Sequence, residues 1–238
     1  MTAAPLLSVQ SLEAWYGRAH ILTGVDLTVG RGEVVALMGR NGAGKTTTLK
    51  AIMGLVESRR GRVALDSRDV SSLPPHRMAR LGVGYVPEDR RIFADLTVEE
   101  NLEVGRQPPR PGAPAWTPEK LFALFPNLAE MRGRRGTRMS GGEQQMLTLA
   151  RTLMGNPSLL LLDEPSEGLA PIIVRQMADA VRRLKAEGLS VLVSEQNLSF
   201  AAVVADRASV IEKGQVRWTG AMADLMADEA ARRAYLAL

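Results

Sequence analysis

The chain has 238 residues, 45% of them hydrophobic, which suffices for one substantial core with a smaller lobe and not for two large independent domains. Thirty basic against 26 acidic residues leave a formal charge of +4, too balanced to argue for nucleic acid, and the absence of cysteine excludes a disulfide framework and thiolate chemistry. Its apolar stretches fall far short of the ~20 residues that a membrane-spanning helix needs, and residues 1–10 lack the basic start and long apolar run of a signal peptide, so the chain is expected to stay in the cytoplasm.

In chain order, 6–12 and 25–29 read as short strands, and a Gly30-Arg31-Gly32 turn leads into the apolar run 34–38. Residues 45–53 have helical spacing without a breaker, while 61–66 and 83–86 read as strands, the second ending at Pro87. From about 93 to 139 the strand signal fades, leaving helices at 97–104 and 118–130 around the proline-rich 107–118. Alternation resumes with a helix at 140–154, a buried strand at 159–162, a helix at 171–186 and a strand at 189–194. A hairpin of 207–212 and 215–218 follows across Lys213-Gly214. This order predicts a single α/β domain over residues 1–238, with a helical subdomain inserted at about 90–156. Arginine clusters at 59–62, 90–91 and 132–135 read as solvated surface.

Gly39-Arg40-Asn41-Gly42-Ala43-Gly44-Lys45-Thr46 fits the P-loop pattern in its required context, after a strand and opening a helix. Glycines let the backbone curl around phosphates with its N–H groups inward, at a helix N-terminus that favours anions. Lys45 is expected to supply charge to the β/γ-phosphates and Thr46 to reach Mg²⁺, with Thr47 beside them in the nucleotide-binding set. The run 159–162 ends in Asp163 and Glu164, at the sheet edge where ligands bind in such folds. Strand alternation gives the two acids different roles: Asp163 near Mg²⁺, Glu164 positioned to polarise an attacking water.

Met139-Ser140-Gly141-Gly142-Glu143-Gln144-Gln145, between the P-loop and the acidic strand end, resembles the signature motif of the ABC ATPases. Ser140 with Gly141 and Gly142 opens a helix whose hydroxyl and N–H groups can meet phosphate, and Glu143 can also close a plain capping box. The resemblance covers nearly the whole chain. It implies a P-loop NTPase of ABC type, with a mainly parallel sheet core, an N-terminal antiparallel β subdomain and the inserted helical subdomain. It also implies dimerisation, because in that family the signature of one subunit closes over ATP held by the P-loop of the other. Tyr16 matches the aromatic that stacks on adenine, with Trp15 a weaker candidate.

Within the family, Tyr85-Val86-Pro87, Arg91-Ile92-Phe93, Leu96-Thr97-Val98-Glu99-Glu100-Asn101-Leu102, Gly168-Leu169-Ala170-Pro171 and Ser194-Glu195-Gln196-Asn197 resemble one ATPase subunit of the branched-chain amino acid importers, with the urea-import subunit as runner-up. That implies a sister ATPase, membrane permease subunits, a solute-binding protein acting through them, and a peripheral location on the cytoplasmic face of the inner membrane. Segment 168–171 resembles the loop that touches the other subunit, and 88–96 is expected to face the permease. Two positions depart from the common ABC pattern. Glu88 stands where a glutamine senses Mg²⁺ and the γ-phosphate, and Gln196 stands where a switch histidine contacts the γ-phosphate, a replacement typical of the branched-chain subunit. Rival readings are a soluble ABC protein acting on nucleic acid or ribosomes, opposed by the single cassette, and a non-hydrolysing regulatory subunit, opposed by Glu164.

Overall fold

Both faces of the central sheet are covered, so its strands read as unbroken apolar runs. The computed structural model describes residues 4–236; residues 1–3, part of the segment read for a targeting signal, lie outside the described residues. β1 (Leu7–Tyr16), β2 (Ala19–Val29), β4 (Ser58–Leu65) and β5 (Arg68–Asp69) form an antiparallel sheet in the order β2-β1-β4-β5. A six-stranded sheet contains β3 (Val34–Met38), β6 (Val83–Val86), β7 (Leu159–Asp163), β8 (Ser190–Glu195), β9 (Arg207–Glu212) and β10 (Gln215–Ala221), ordered β10-β9-β3-β8-β7-β6. All its pairings are parallel except β9 with the edge strand β10.

The helices are α1 (Lys45–Met53), α2 (Pro75–Arg80), α3 (Val98–Gly105), α4 (Pro118–Leu124), α5 (Pro126–Ala129), α6 (Gly141–Leu153), α7 (Pro171–Ala186), α8 (Leu198–Val204), α9 (Met222–Ala227) and α10 (Glu229–Leu236). Alternation along the central strands feeds two cores. Val34, Ala36, Leu160, Leu162, Val191 and Val193 pack with α3 to α8; Val35, Leu37, Leu159, Leu161 and Leu192 pack with α1 and the antiparallel sheet. β3, β6, β7 and β8 end at the same edge, which gathers the loops after Met38, Val86, Asp163 and Glu195.

The expected α/β architecture is present, with several boundaries corrected. The first two strands are longer than read because β1 and β2 run on through a register-shifted ladder, with Ser11 at φ 48°. The helix expected over 118–130 breaks at Phe125, where Pro126 starts α5 at its first position. α2, α8, α9 and α10 were not read at all; all but α10 are six or seven residues long, too short for periodicity to register.

Gly214, in the turn between β9 and β10, joins three parts of the fold. Its carbonyl accepts from the Thr23 amide at 2.9 Å, and its own amide donates to the Ala43 carbonyl of the P-loop at 2.9 Å. It sits at φ 77°, and a Cβ there would collide with the Ile21 carbonyl. Gly214→Ala is expected to cost on the order of 1–3 kcal/mol, seen as a lower urea midpoint at unchanged slope. Nucleotide affinity should fall with it, because Ala43 is displaced.

Candidate active site

The P-loop follows β3 into α1, curled so that the Ala43 amide donates to the Arg40 carbonyl at 3.1 Å. Gly42 at φ 78° and Gly44 at φ 112° adopt the left-handed backbone this curl needs. Lys45 is buried, and its ammonium donates to the carbonyls of Gly39 at 2.8 Å and Arg40 at 3.1 Å. The same ammonium lies 3.2 Å from Glu164 Oε1. Thr47 is buried in the first turn of α1, while Arg40, Asn41 and Gly42 are exposed.

Asp163 belongs, by strand parity, to the face carrying Leu159 and Leu161, which is the α1 side. Its Oδ1 accepts from Thr46 Oγ1 at 3.0 Å and Ser194 Oγ at 2.7 Å, and its Oδ2 from the Tyr85 hydroxyl at 3.0 Å. Burial, then the neighbouring Asp163 charge, pushes the Tyr85 phenol well above its usual range, so it stays a proton donor. Glu164, one residue on, takes a left-handed conformation at φ 42°, a cost of about 1–2 kcal/mol for a non-glycine residue. Its amide donates to the Ser194 carbonyl and hydroxyl, both at 3.1 Å, which fixes that turn. Glu164 Oε2 is buried without a hydrogen-bond partner.

The other expected residues divide into two groups. Gln196 is exposed and lines a cavity of about 540 Å³ together with Gly39, Arg40, Asn41 and Asn197, so it faces the P-loop. Glu88 is exposed in the loop after β6, and its charge reaches Glu167. Ser140 caps α6: its hydroxyl accepts from the Glu143 amide at 3.4 Å while Glu143 Oε2 accepts from the Ser140 amide at 2.7 Å. Among the described residues no hydrogen bond joins Ser140, Gly141 or Gly142 to the P-loop or to the strand-end acids. Tyr16 is half-exposed at the end of β1, whereas the Trp15 ring is stacked on His20 at 4.3 Å. Trp15 therefore has one face occupied.

Motif reading missed Tyr85 and Ser194 as ligands of Asp163, although both lie on the same sheet face by alternation. It also missed Glu195, which is fully buried and accepts from the Ser166 amide at 3.0 Å and the Asn197 amide at 3.1 Å, tying the loop after β7 to the loop after β8. Burial pushes the Glu195 carboxyl upward. Glu167 is raised to about 7, first by the Glu164 carboxyl beside it and then by desolvation and the charge of Glu88, with Lys45 opposing.

These residues fit a nucleotide with a metal ion. Lys45 and the curled loop suit phosphate, and Glu164, whose Oε1 lies 3.2 Å from the Lys45 ammonium, keeps a buried Oε2 without a hydrogen-bond partner. Among the described residues no cluster of three or more His, Cys, Asp or Glu forms that would hold a metal unaided. A hydroxyl and a carboxylate supplemented by phosphate oxygens and water is the coordination that Mg²⁺ accepts.

The parallel sheet, the phosphate loop after β3 and the acids after β7 define a P-loop ATPase. The model of the ABC transporter family matches residues 22–167, and the chain belongs to that family. It is 41% identical over 231 residues to the high-affinity branched-chain amino acid transport ATP-binding protein BraG of Pseudomonas aeruginosa, covering 97% of this chain and 99% of that protein. It is 36% identical to the lipopolysaccharide export system ATP-binding protein LptB of Haemophilus influenzae, covering 97% of each. A solved ATP-binding cassette of an ABC transporter in its ADP conformation matches with a TM-score of 0.80 and 26% identity, over 96% of this chain and 97% of that one. The chain is accordingly an ATPase that hydrolyses ATP to drive transport.

A raised folded-state pKa means that the folded protein binds the extra proton, so stability is greatest below the ordinary glutamate range and declines as pH rises through about 7. Glu167→Gln should flatten the fall in thermal midpoint between pH 5 and 8, measured without added nucleotide.

Proposed function

We propose that this chain is the ATP-hydrolysing subunit of a bacterial ABC importer for branched-chain amino acids, acting on the cytoplasmic face of the membrane with a second ATPase subunit and permease subunits. The ion pair of Lys45 with Glu164, beside the Thr46 and Asp163 pair, carries the enzymatic part of this reading. The likeness to BraG along the full chain supports the transported class. No helix of the described residues is long and apolar enough to cross a membrane, in keeping with a separate permease.

In the proposed mechanism the P-loop amides and Lys45 hold the β- and γ-phosphates, drawing the ammonium off Glu164. Glu164 then accepts a proton from water as the water oxygen bonds to the γ-phosphorus and the bond to the β,γ-bridging oxygen breaks, giving ADP and phosphate. Thr46 and Asp163, with Glu88 on the exposed side, would hold Mg²⁺, which when bound neutralises charge on the phosphate oxygens. Gln196, across the cavity from Gly39 to Asn41, offers an amide donor to the γ-phosphate without adding charge. Ser140, Gly141 and Gly142 serve the nucleotide of the other ATPase subunit, and Tyr16 stacks on adenine.

The permease would dock in a groove of about 630 Å³ lined by Tyr85, Pro87, Arg91, Phe93, Val104 and Arg151. Phe93 and Val104 are about half exposed there, which is costly unless something covers them. The described elements between 98 and 153 would form the inserted helical subdomain on its far side.

Glu164→Gln is expected to lower hydrolysis by about 10²–10⁴-fold while ATP binding persists and a dimer is trapped in ATP on size-exclusion chromatography. Full residual hydrolysis would remove Glu164 as base. The likeness to LptB favours a second reading, lipopolysaccharide export. A strain lacking this chain should lose uptake of labelled leucine, regain it with the parent chain and not with Glu164→Gln, and keep normal surface lipopolysaccharide; the opposite pattern would favour export.

A further inference from the structure

Asp163 is almost wholly buried, and an ionised carboxylate there must have its oxygens satisfied. Oδ1 has two donors, Thr46 Oγ1 and Ser194 Oγ, while Oδ2 accepts from the Tyr85 hydroxyl at 3.0 Å. The three donors come from three separate elements: α1, β8 and β6. Tyr85 stands opposite Leu161 in the β6–β7 ladder, two residues before Asp163 on the same sheet face, and the length of a phenol spans that offset. Serine or threonine at position 85 would be too short for the same reach.

We infer that Tyr85 is a positioning residue for the metal-side carboxylate: its hydroxyl holds Asp163 Oδ2 and thereby orients Oδ1 toward Thr46. The Thr46 hydroxyl can bind a cation through its oxygen only while its proton is directed elsewhere, and Asp163 Oδ1 is where that proton goes. Rotation of the carboxylate about its Cβ–Cγ bond would break this contact, and the Tyr85 hydrogen bond opposes that rotation from the other oxygen. Orienting partners of this kind change metal affinity by about 10–100-fold when removed. The inference rests on the reading of Thr46 and Asp163 as the Mg²⁺ side of the site.

The test uses the full chain with a non-hydrolysable ATP analogue and Mn²⁺ as the metal probe, followed by electron paramagnetic resonance. Tyr85→Phe should weaken Mn²⁺ binding about 10-fold and broaden the Mn²⁺ spectrum, with metal-free analogue affinity at the parent value and a lowered thermal midpoint, because the buried Asp163 Oδ2 loses its donor. Parent-like Mn²⁺ affinity and spectrum in Tyr85→Phe, alongside lost binding in Asp163→Asn, would overturn the role of Tyr85 and leave the metal reading standing. Parent-like Mn²⁺ binding in Asp163→Asn would instead overturn the metal reading and the inference with it. Should Tyr85→Phe fail to fold, ultraviolet resonance Raman of the three tyrosines decides. One tyrosine should lose its strong-donor signature in Asp163→Asn, and an unchanged spectrum would refute the hydrogen bond on which the role depends.

Discussion

A buried ammonium must meet negative charge, and Lys45, with a side chain only 2% exposed, sets the geometry of everything around it. Its partners start far apart. The P-loop leaves β3 and Glu164 leaves β7, with β8 between them, so the gap to cross is two strand spacings, or ~10 Å. The lysine covers part of that distance by its length. Glu164 covers the rest because its backbone turns back at φ 42°, held by the Ser194 carbonyl and hydroxyl of the intervening strand. Local strain at Glu164 is thus the counterpart of a charge pair across three strands, and both require β3, β7 and β8 to be rigid and fully buried.

That pairing also determines how the site answers a phosphate. The ammonium has three acceptors, two of them P-loop carbonyls, and a phosphate is a stronger fourth. Withdrawing Lys45 leaves Glu164 beside Glu167, whose raised pKa already records the crowding of carboxylates. Glu88 adds to the same negative field where the common pattern has a neutral glutamine, while Gln196 removes a potential cation on the other side. In the proposed mechanism both departures make the neighbourhood of the γ-phosphate more negative, so more of the charge balance falls on Lys45, the P-loop amides and the metal.

Contiguous pattern was the legible part of the site, and contact between separate strands was not. The run from Gly39 to Thr46 and the apolar strand ending in Asp163 and Glu164 each announce themselves within a few residues. Tyr85 and Ser194 matter only through register, Tyr85 opposite Leu161 and Ser194 opposite Asp163, and register is invisible until strand order is known. Parity alone would have put both on the α1 side once β6, β7 and β8 were assigned as neighbours. The missed α8 did carry a start signal, since Asn197 caps it through the Phe200 amide, but the helix ends after two turns. α9 has no side-chain cap, so nothing local marks it.

The placement of Ser140 bears on why, in the proposed reading, one chain forms half of a device. Its hydroxyl accepts the Glu143 amide only at a long 3.4 Å and the residue is exposed, while Gly141 and Gly142 are partly buried against the side chains of Arg90 and Ile173. Within the chain this helix start meets neither the P-loop nor the strand-end acids, although it offers the same kind of N–H groups to phosphate. A helix start and a P-loop that are complementary to one ligand but apart in one chain are satisfied together by a two-fold or pseudo-two-fold arrangement, because such an interface brings the helix start of each subunit to the P-loop of the other at once. In the proposed reading the sister ATPase supplies that second surface, and the site is completed only when both subunits close on nucleotide.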